Sequence, residues 1–178
     1  YSRPMHKDFY HLNKIWCSYR AKENIFCFDD TKEYIGLTNT TVIFDTNEDL
    51  DLKYLLALLN SKTLNFRYKS IGKQTGSGVY EYFENGVGKL PIPKIDKVEQ
   101  KPFIKLVDEI LEAKQKIKDY KPLLDEAIKN NNFDREIALK KELENLENIS
   151  TTNEKTIDQM VYKLYDLTPD EIKIVENK

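Results

Sequence analysis

Apolar and polar residues alternate in short bursts over the first quarter of the chain. Three segments, KIWCSYR, NIFCFDD and TTVIFDT, are rich in aromatic and β-branched residues and are separated by Asp, Asn, Gly and Thr. This pattern predicts short strands bounded by turns. Because the strands are short and closely spaced, we expect an irregular or barrel-like sheet between His11 and Phe44.

The apolar spacing then changes to that of helices. We expect a first helix after an Asp51 N-cap and a second that Ser61 caps and Gly72 ends. The residues that carry this periodicity are Leu52, Leu55, Leu56, Leu59, Leu64, Tyr68 and Ile71. Strand-like spacing returns over Val79–Phe83. The tetrapeptide Leu90–Pro93 then predicts an exit from the sheet, because proline lacks the N–H that a central strand needs.

The second half of the chain carries long helical stripes. One stripe begins near Lys101 and extends beyond Pro122, and Asn130–Asp134 reads as a turn in which Asp134 is the cap. A second helix runs through Ile149, so the simplest arrangement is an antiparallel helical hairpin. The segment TNEKTIDQMVYKLYDL follows as a further apolar face. Thr168, Pro169 and Glu171 have the pattern of a capping box.

These patterns predict an α/β (α+β) protein with two parts. Residues 1–95 would form an irregular, barrel-like small sheet with short helices, and residues 96–178 a long helical hairpin or spacer. The net charge of -2 over 178 residues points to neither nucleic acid nor membrane. The charge is +2 in the first part and -4 in the second, which hints at two roles. Because the chain begins with Tyr1, we expect a piece of a longer protein.

The cysteines and histidines are few and widely spaced. Cys17 and Cys27 lie ten residues apart, and His6 and His11 five apart, so the paired spacing of a zinc site is absent. Aromatic residues flank both cysteines, which favours packing in the core over metal binding. Free thiols and the lack of an apolar run near the ~20 residues of a membrane span indicate a cytoplasmic protein.

Catalytic motifs are also absent from the sequence. It contains no phosphate-binding loop, dinucleotide loop or nucleophile elbow. A metal-dependent nuclease would combine two carboxylates with a lysine, and Glu84, Glu99 and Lys101 are the weak candidates, the last two in a connector expected ahead of a helix. That alternative predicts magnesium-dependent cleavage. We instead expect neither catalytic nor metal-binding residues in this chain.

Basic and hydrogen-bonding residues cluster around a glycine-containing loop after the second helix. Lysine and arginine suit phosphates, whereas arginine, asparagine and glutamine can read base edges with two hydrogen bonds. Glycines let the backbone approach a ligand closely. The alternative is an ordinary solvated loop. The candidates in and near the loop are Arg67, Lys69, Lys73, Gln74, Thr75 and Ser77, and those of the earlier strands and turns are Arg20, Lys22, Asn39 and Thr40.

Two motifs carry a resemblance to a known family. The segments LLALLNS and KLPIPKI resemble the TaqI-like C-terminal specificity domain, the target-recognition domain of type IIG restriction-modification enzymes. They are also similar to the specificity subunits of type I restriction systems. The resemblance covers roughly Leu12–Ile95. The ending IDQMVYKLYDLTPDEIKIVE is similar to the helix that follows such domains.

The resemblance implies a domain that reads a short sequence in double-stranded DNA and directs a methyltransferase or endonuclease domain or subunit to it. It implies a parent type IIG restriction enzyme or adenine-specific DNA methyltransferase, with S-adenosylmethionine and Mg²⁺ expected only there. Tyr80 joins the DNA-contacting candidates, with packing favoured over base stacking. The helices would act as spacers, in docking, or in a homodimer. The alternative is a helical interaction or dimerisation module that does not read DNA.

Overall fold

Short strands and helices alternate before a pair of long helices. The computed structural model describes residues 11–34, 39–44 and 49–177. Its strands are β1 (Lys14–Ser18), β2 (Arg20–Ala21), β3 (Phe26–Asp29), β4 (Thr40–Phe44), β5 (Lys73–Gln74) and β6 (Tyr80–Glu81). Its helices are α1 (Leu52–Leu59), α2 (Lys62–Ile71), α3 (Glu84–Val87), α4 (Lys97–Lys129), α5 (Phe133–Leu164) and α6 (Pro169–Glu176).

The first sheet is antiparallel, with the strand order β3-β1-β4. Side chains alternate between its faces, so Ile15, Cys17 and Phe26 are buried. The prediction that cysteine packs in the core is confirmed for Cys17 but wrong for Cys27, which is exposed. Cys27 follows the buried Phe26 in β3 and therefore points to the opposite face of the sheet.

The second sheet has the order β2-β6-β5 and is also antiparallel. Tyr19 joins the two sheets, because its N–H donates to the Asn39 carbonyl (2.9 Å) and its carbonyl accepts from the Tyr82 N–H (2.7 Å). The expected barrel is wrong: both sheets stay open. The strand predicted over Val79–Phe83 shortens to two residues, and the paired β2 and β5 are equally short, so too little ladder forms for closure.

The helices α1 and α2 begin and end where the sequence predicts. Asp51 caps α1 by accepting from the Lys53 N–H (2.7 Å), and Ser61 caps α2. Between the helices, the Asn60 side chain accepts from the Phe26 N–H and donates to the Phe26 carbonyl, both at 2.9 Å. The Leu-Asn-Ser motif therefore holds the edge of β3 against the helical layer.

The antiparallel hairpin of α4 and α5 is confirmed. Helix α4 continues through Pro102 and Pro122. Asn132 caps α5 by accepting from the Arg135 N–H (3.2 Å), so the prediction that Asp134 is the cap is wrong. Asp134 instead lies in the first turn, where a negative charge favours the helix N-terminus.

The segment TNEKTIDQMVYKLYDL does not form a helix of its own but continues the preceding one. Helix α5 runs without interruption to Leu164, and hydroxyl groups in its middle donate to carbonyls of the preceding turn instead of ending the helix. Thr151 Oγ1 donates to the Glu147 carbonyl (2.6 Å), and Thr156 Oγ1 donates to the Thr152 carbonyl (2.9 Å). The predicted capping box at the start of α6 is confirmed.

The Leu-Pro-Ile-Pro exit is held by side chains from three helices. Tyr54 donates its hydroxyl to the Pro93 carbonyl (2.9 Å), and Tyr165 of the α5 C-cap donates to the Pro91 carbonyl. Buried Gln100 of α4 donates to the Ile95 carbonyl (3.0 Å) and accepts from the backbone N–H of the α1 N-cap (2.9 Å). The exit is thereby fixed where sheet, short helices and long helices meet.

One hydrophobic core joins the two parts of the chain. It includes Tyr54 and Leu58 from α1, Phe103 and Val107 from α4, and Val161 from α5. The division at residue 95 stays a prediction, and the base of the hairpin packs into the same core as the sheets. Within the described ranges, no helix has the length and apolar character to cross a membrane.

Candidate nucleic-acid interface

The glycine-containing loop predicted as a reading element is the tip of a β-hairpin between β5 and β6. Thr75 N–H donates to the Val79 carbonyl (2.9 Å), and Val79 N–H donates to the Gly76 carbonyl (3.0 Å). Gly76 and Gly78 have φ angles of 100° and 72°, which glycine adopts without strain. Ser77 lies between them at φ 51° and is exposed at the tip.

Three charged residues lie directly opposite one another across the second sheet. Arg20 pairs with Glu81, and Glu81 pairs with Lys73. One Glu81 oxygen is 2.9 Å from Arg20 Nη2 and the other is 2.8 Å from Lys73 Nζ. The Glu81 side chain is 5% exposed, but those of Arg20 and Lys73 are 61% and 66% exposed. A buried carboxylate thus holds two cations that stay open to solvent.

The three charges support one another. The hydrogen bonds from Lys73 and then Arg20 lower the pKa of Glu81, although burial acts in the opposite direction. The same contact raises the pKa of Lys73. Glu81 and Lys73 are therefore both charged near neutral pH, and with the arginine cation the row presents one excess positive charge to solvent.

The neighbouring row of the sheet contains Ala21, Tyr80 and Gln74. Tyr80 is half-buried and packs against the hydrophobic core, whereas Gln74 is exposed. This position agrees with packing, not stacking, as the role of Tyr80. Gln74 presents an amide, with both donor and acceptor capacity, beside the cations.

Three predicted residues adjoin this sheet through the backbone. Lys22 is exposed one residue beyond β2. Asn39 and Thr40 are exposed at the start of β4, where the Asn39 carbonyl accepts from the N–H of Tyr19, the residue before Arg20. Asn39 and Thr40 therefore lie by the Arg20 end of β2, and Lys22 follows its other end.

The two remaining candidates lie on helix α2. Arg67 is exposed, and its Nη1 is 3.4 Å from Ser70 Oγ on the same helix. Lys69 is half-buried in the last turn, where a positive charge favours the helix C-terminus. Both carry positive charge on the helix that leads into β5, and the contacts that define the charged row are made by other residues.

Glu81 is the residue of this site that sequence reasoning missed. Its partner Arg20 is 61 residues away, and such long-range pairs leave no mark in local spacing. The available signal was a carboxylate between Tyr80 and Tyr82 in a strand-like run. A buried carboxylate requires charged or hydrogen-bonding partners, so its presence there pointed to nearby cations.

A rigid scaffold lies directly beneath the hairpin. Tyr68 donates its hydroxyl to the Glu81 carbonyl (2.6 Å), and its ring stacks on Tyr82 with centroids 4.3 Å apart. A Cβ at Gly72 would lie 2.7 Å from the Tyr68 ring, and one at Gly86 would lie 2.6 Å from its hydroxyl. These close approaches leave the ring little room to move, so the strand bearing Glu81 is firmly placed.

The three candidate nuclease residues lie at the N-terminal ends of helices. Glu99 and Lys101 lie in the first turns of α4, not in a connector ahead of it. Glu99 accepts from the Asp96 N–H (3.1 Å) to complete a capping box, and Glu84 is exposed at the start of α3. Over residues 11–34, 39–44 and 49–177, no three His, Cys, Asp or Glu side chains are grouped to hold a metal.

The fold and this surface define a mixed α/β protein in which two exposed cations, a buried carboxylate and a hydrogen-bonding hairpin share one small sheet. The model of the TaqI-like C-terminal specificity domain matches residues 2–92, about half of the chain. The chain therefore belongs to the TaqI-like C-terminal specificity domain family. A search of curated proteins gives no match.

Proposed function

We propose that this chain is a sequence-specific DNA-recognition domain of a restriction-modification system, and that it directs a methyltransferase or endonuclease to its target site. Membership of the specificity-domain family supports the proposal. The observation that carries it is the charged row of Arg20, Glu81 and Lys73 beside an exposed hairpin tip. The row and the hairpin lie within the residues that the family model matches.

The two kinds of side chain on this surface have separate tasks. Lys73 holds a phosphate and sets the position of the duplex, because a lysine ammonium is a point charge without base preference. Arg20 and Gln74 contact base edges, since both side chains can form paired hydrogen bonds with a base. The backbone of Gly76 and Gly78 lets the tip approach the groove closely.

The isolated chain binds DNA weakly under this proposal. Its net charge is -2, and affinity for any duplex depends on how many phosphates the protein neutralises. A catalytic domain or subunit supplies the remaining phosphate contacts. S-adenosylmethionine and Mg²⁺ belong to that partner's chemistry, and this chain selects the DNA sequence at which the partner acts.

The experiment is selection from a randomised duplex pool, followed by fluorescence anisotropy at two salt concentrations. The wild-type chain enriches a short motif, and the Lys69→Ala/Lys73→Ala/Gln74→Ala variant does not. The Lys118→Ala/Lys141→Ala variant is the control, because it also removes two positive charges from exposed positions, here on α4 and α5. Equal loss of enrichment in both variants would contradict the proposal.

A second candidate function is protein docking by the long helices without DNA reading. Phe133 and Ile137 are each 67% exposed and Ile128 is 46% exposed, and all three lie near the turn between α4 and α5. Exposed apolar clusters of this kind are typical of interaction sites. The Phe133→Ser/Ile137→Ser variant tests it by sedimentation. Docking would be favoured as the function by two results together. The variant would assemble differently from the wild type with a second copy or a catalytic subunit, and neither the wild type nor the variant would enrich a DNA motif.

A further inference from the structure

The Glu81 carboxylate is fully engaged inside the protein. Each of its oxygens contacts one cation, at 2.9 Å and 2.8 Å, and its side chain is almost excluded from solvent. Its backbone carbonyl accepts from the Tyr68 hydroxyl, and Tyr68 is itself fully buried. Glu81 is therefore placed by the scaffold and does not itself reach a ligand on the surface.

The two cations differ from Glu81 in what they offer to the outside. A guanidinium carries five N–H donors, so the contact through Arg20 Nη2 leaves further donors for a ligand. The Tyr19 ring lies beside the guanidinium, 5.7 Å from centroid to Cζ, and further limits its movement. Long side chains lose rotamer freedom when they bind, and a side chain that is already held loses less.

We propose that Glu81 is a positioning residue for DNA reading: it orients Arg20 toward a guanine and Lys73 toward an adjacent phosphate. The inference rests on the proposed function. Guanine is the expected base because its O6 and N7 accept two hydrogen bonds from one arginine. Glu81 also subtracts one positive charge from the surface, which weakens binding to every sequence alike. It therefore favours specificity over general affinity.

The Glu81→Gln substitution separates these two effects. It keeps the size of the side chain and removes the charge that holds Arg20 and Lys73. Affinity for a scrambled duplex stays level or rises because one negative charge is lost, while affinity for a duplex carrying the selected motif falls about two- to tenfold as the cations lose their anchor. Fluorescence anisotropy with both duplexes measures the ratio.

Glu84→Gln is the matched control. Glu84 is three residues further along the chain and exposed, and it makes no ion pair within the residues that the structure describes. Its neutralisation changes the net charge in the same way and raises affinity for both duplexes alike. In an Arg20→Ala background, Glu81→Gln should lose most of its effect on the ratio, because the side chain that it positions is gone.

The outcomes separate the two claims. If Glu81→Gln lowers affinity for the motif duplex only, Glu81 is a positioning residue. If the substitution changes affinity in the same way as Glu84→Gln, or lowers affinity for both duplexes equally, the inference is overturned. If the wild-type chain selects no motif at all, the proposed function fails and the inference fails with it.

Discussion

Each of the two small sheets contains a carboxylate paired with a cation on a neighbouring strand, but the two pairings differ in exposure. In the first sheet Lys14 Nζ is 3.0 Å from Asp29, and both side chains are almost completely buried. In the second sheet Glu81 is buried, but Arg20 and Lys73 remain open to solvent. The same chemistry therefore serves the fold in one sheet and builds a surface for binding in the other.

The Asp29 carboxylate is hydrogen-bonded to neighbouring groups of the protein itself. It accepts from Thr31 N–H (3.0 Å), Thr31 Oγ1 (2.7 Å) and Trp16 Nε1 (3.3 Å), in addition to the ion pair with Lys14. Burial raises the pKa of Asp29, but the hydrogen bonds from Thr31, Lys14 and Trp16 outweigh it and lower the pKa to about 2. The carboxylate therefore contributes to stability only while it is ionised.

The largest expected effect is that of Asp29→Ala on folding. The substitution removes the carboxylate that is paired with the buried Lys14 ammonium, and breaking a buried ion pair costs about 3–5 kcal/mol of unfolding free energy. Arg20→Ala removes an exposed cation and costs at most about 1 kcal/mol. Urea denaturation of the two variants measures the difference, and equal losses would contradict the comparison.

Acid should weaken the first sheet over a defined range of pH. The pKa of Asp29 is 3.8 in an unfolded chain and about 2 in the fold, so its stabilising contribution is complete above pH 4 and is lost as the pH falls toward 2. Thermal unfolding between pH 5 and pH 2 measures this loss. The Asp29→Asn variant is the control, because it has no carboxyl group to titrate and its curve should lack this component.

Arg20→Ala should affect specificity far more than folding. Loss of a two-point contact with a base removes about 1–3 kcal/mol of discrimination and relaxes the preference at one position of the motif. Repeating the selection with the variant shows which position relaxes. A uniform loss over all positions would instead make Arg20 a phosphate contact.

Lys73→Ala should give the smallest effect, and one of a different kind. A lysine on a phosphate contributes about one to the slope of log K against log salt and affects all sequences alike. Binding to the motif duplex and to a scrambled duplex at several salt concentrations measures the slope. An unchanged slope with altered base preference would reverse the roles assigned to Lys73 and Arg20.

The parts of the fold that sequence predicted are those fixed by local chemistry. The caps at Asp51, Ser61 and Thr168 depend on residues two or three positions away, so their signals are complete within a few residues. The barrel was wrong because strand length and closure depend on pairing across the chain. The continuity of α5 through Thr151 was missed because hydroxyl residues also mark helix ends.

The candidate site divides in the same way. Gln74, Thr75 and Ser77 were identified as a loop from their composition, and they do form the end and tip of a hairpin. The contact between Arg20 and Lys73 through Glu81 depends on how β2, 61 residues away in sequence at Arg20, pairs with the β5–β6 hairpin. A shift of one residue between β2 and β6 would turn Arg20 away from Glu81, and no residue near either strand in sequence specifies that pairing, whereas the hairpin turn itself sets Lys73 opposite Glu81.

Hydrogen exchange of the wild-type chain, with and without a duplex carrying the selected motif, tests the central claim most directly. We expect DNA binding to slow exchange at the backbone amides of residues 73–81, 19–22 and 39–40, and to leave exchange unchanged at residues 128–137 around the turn between α4 and α5. Slower exchange confined to residues 128–137, with the β5–β6 hairpin unaffected, would contradict it and place the binding surface on the long helices.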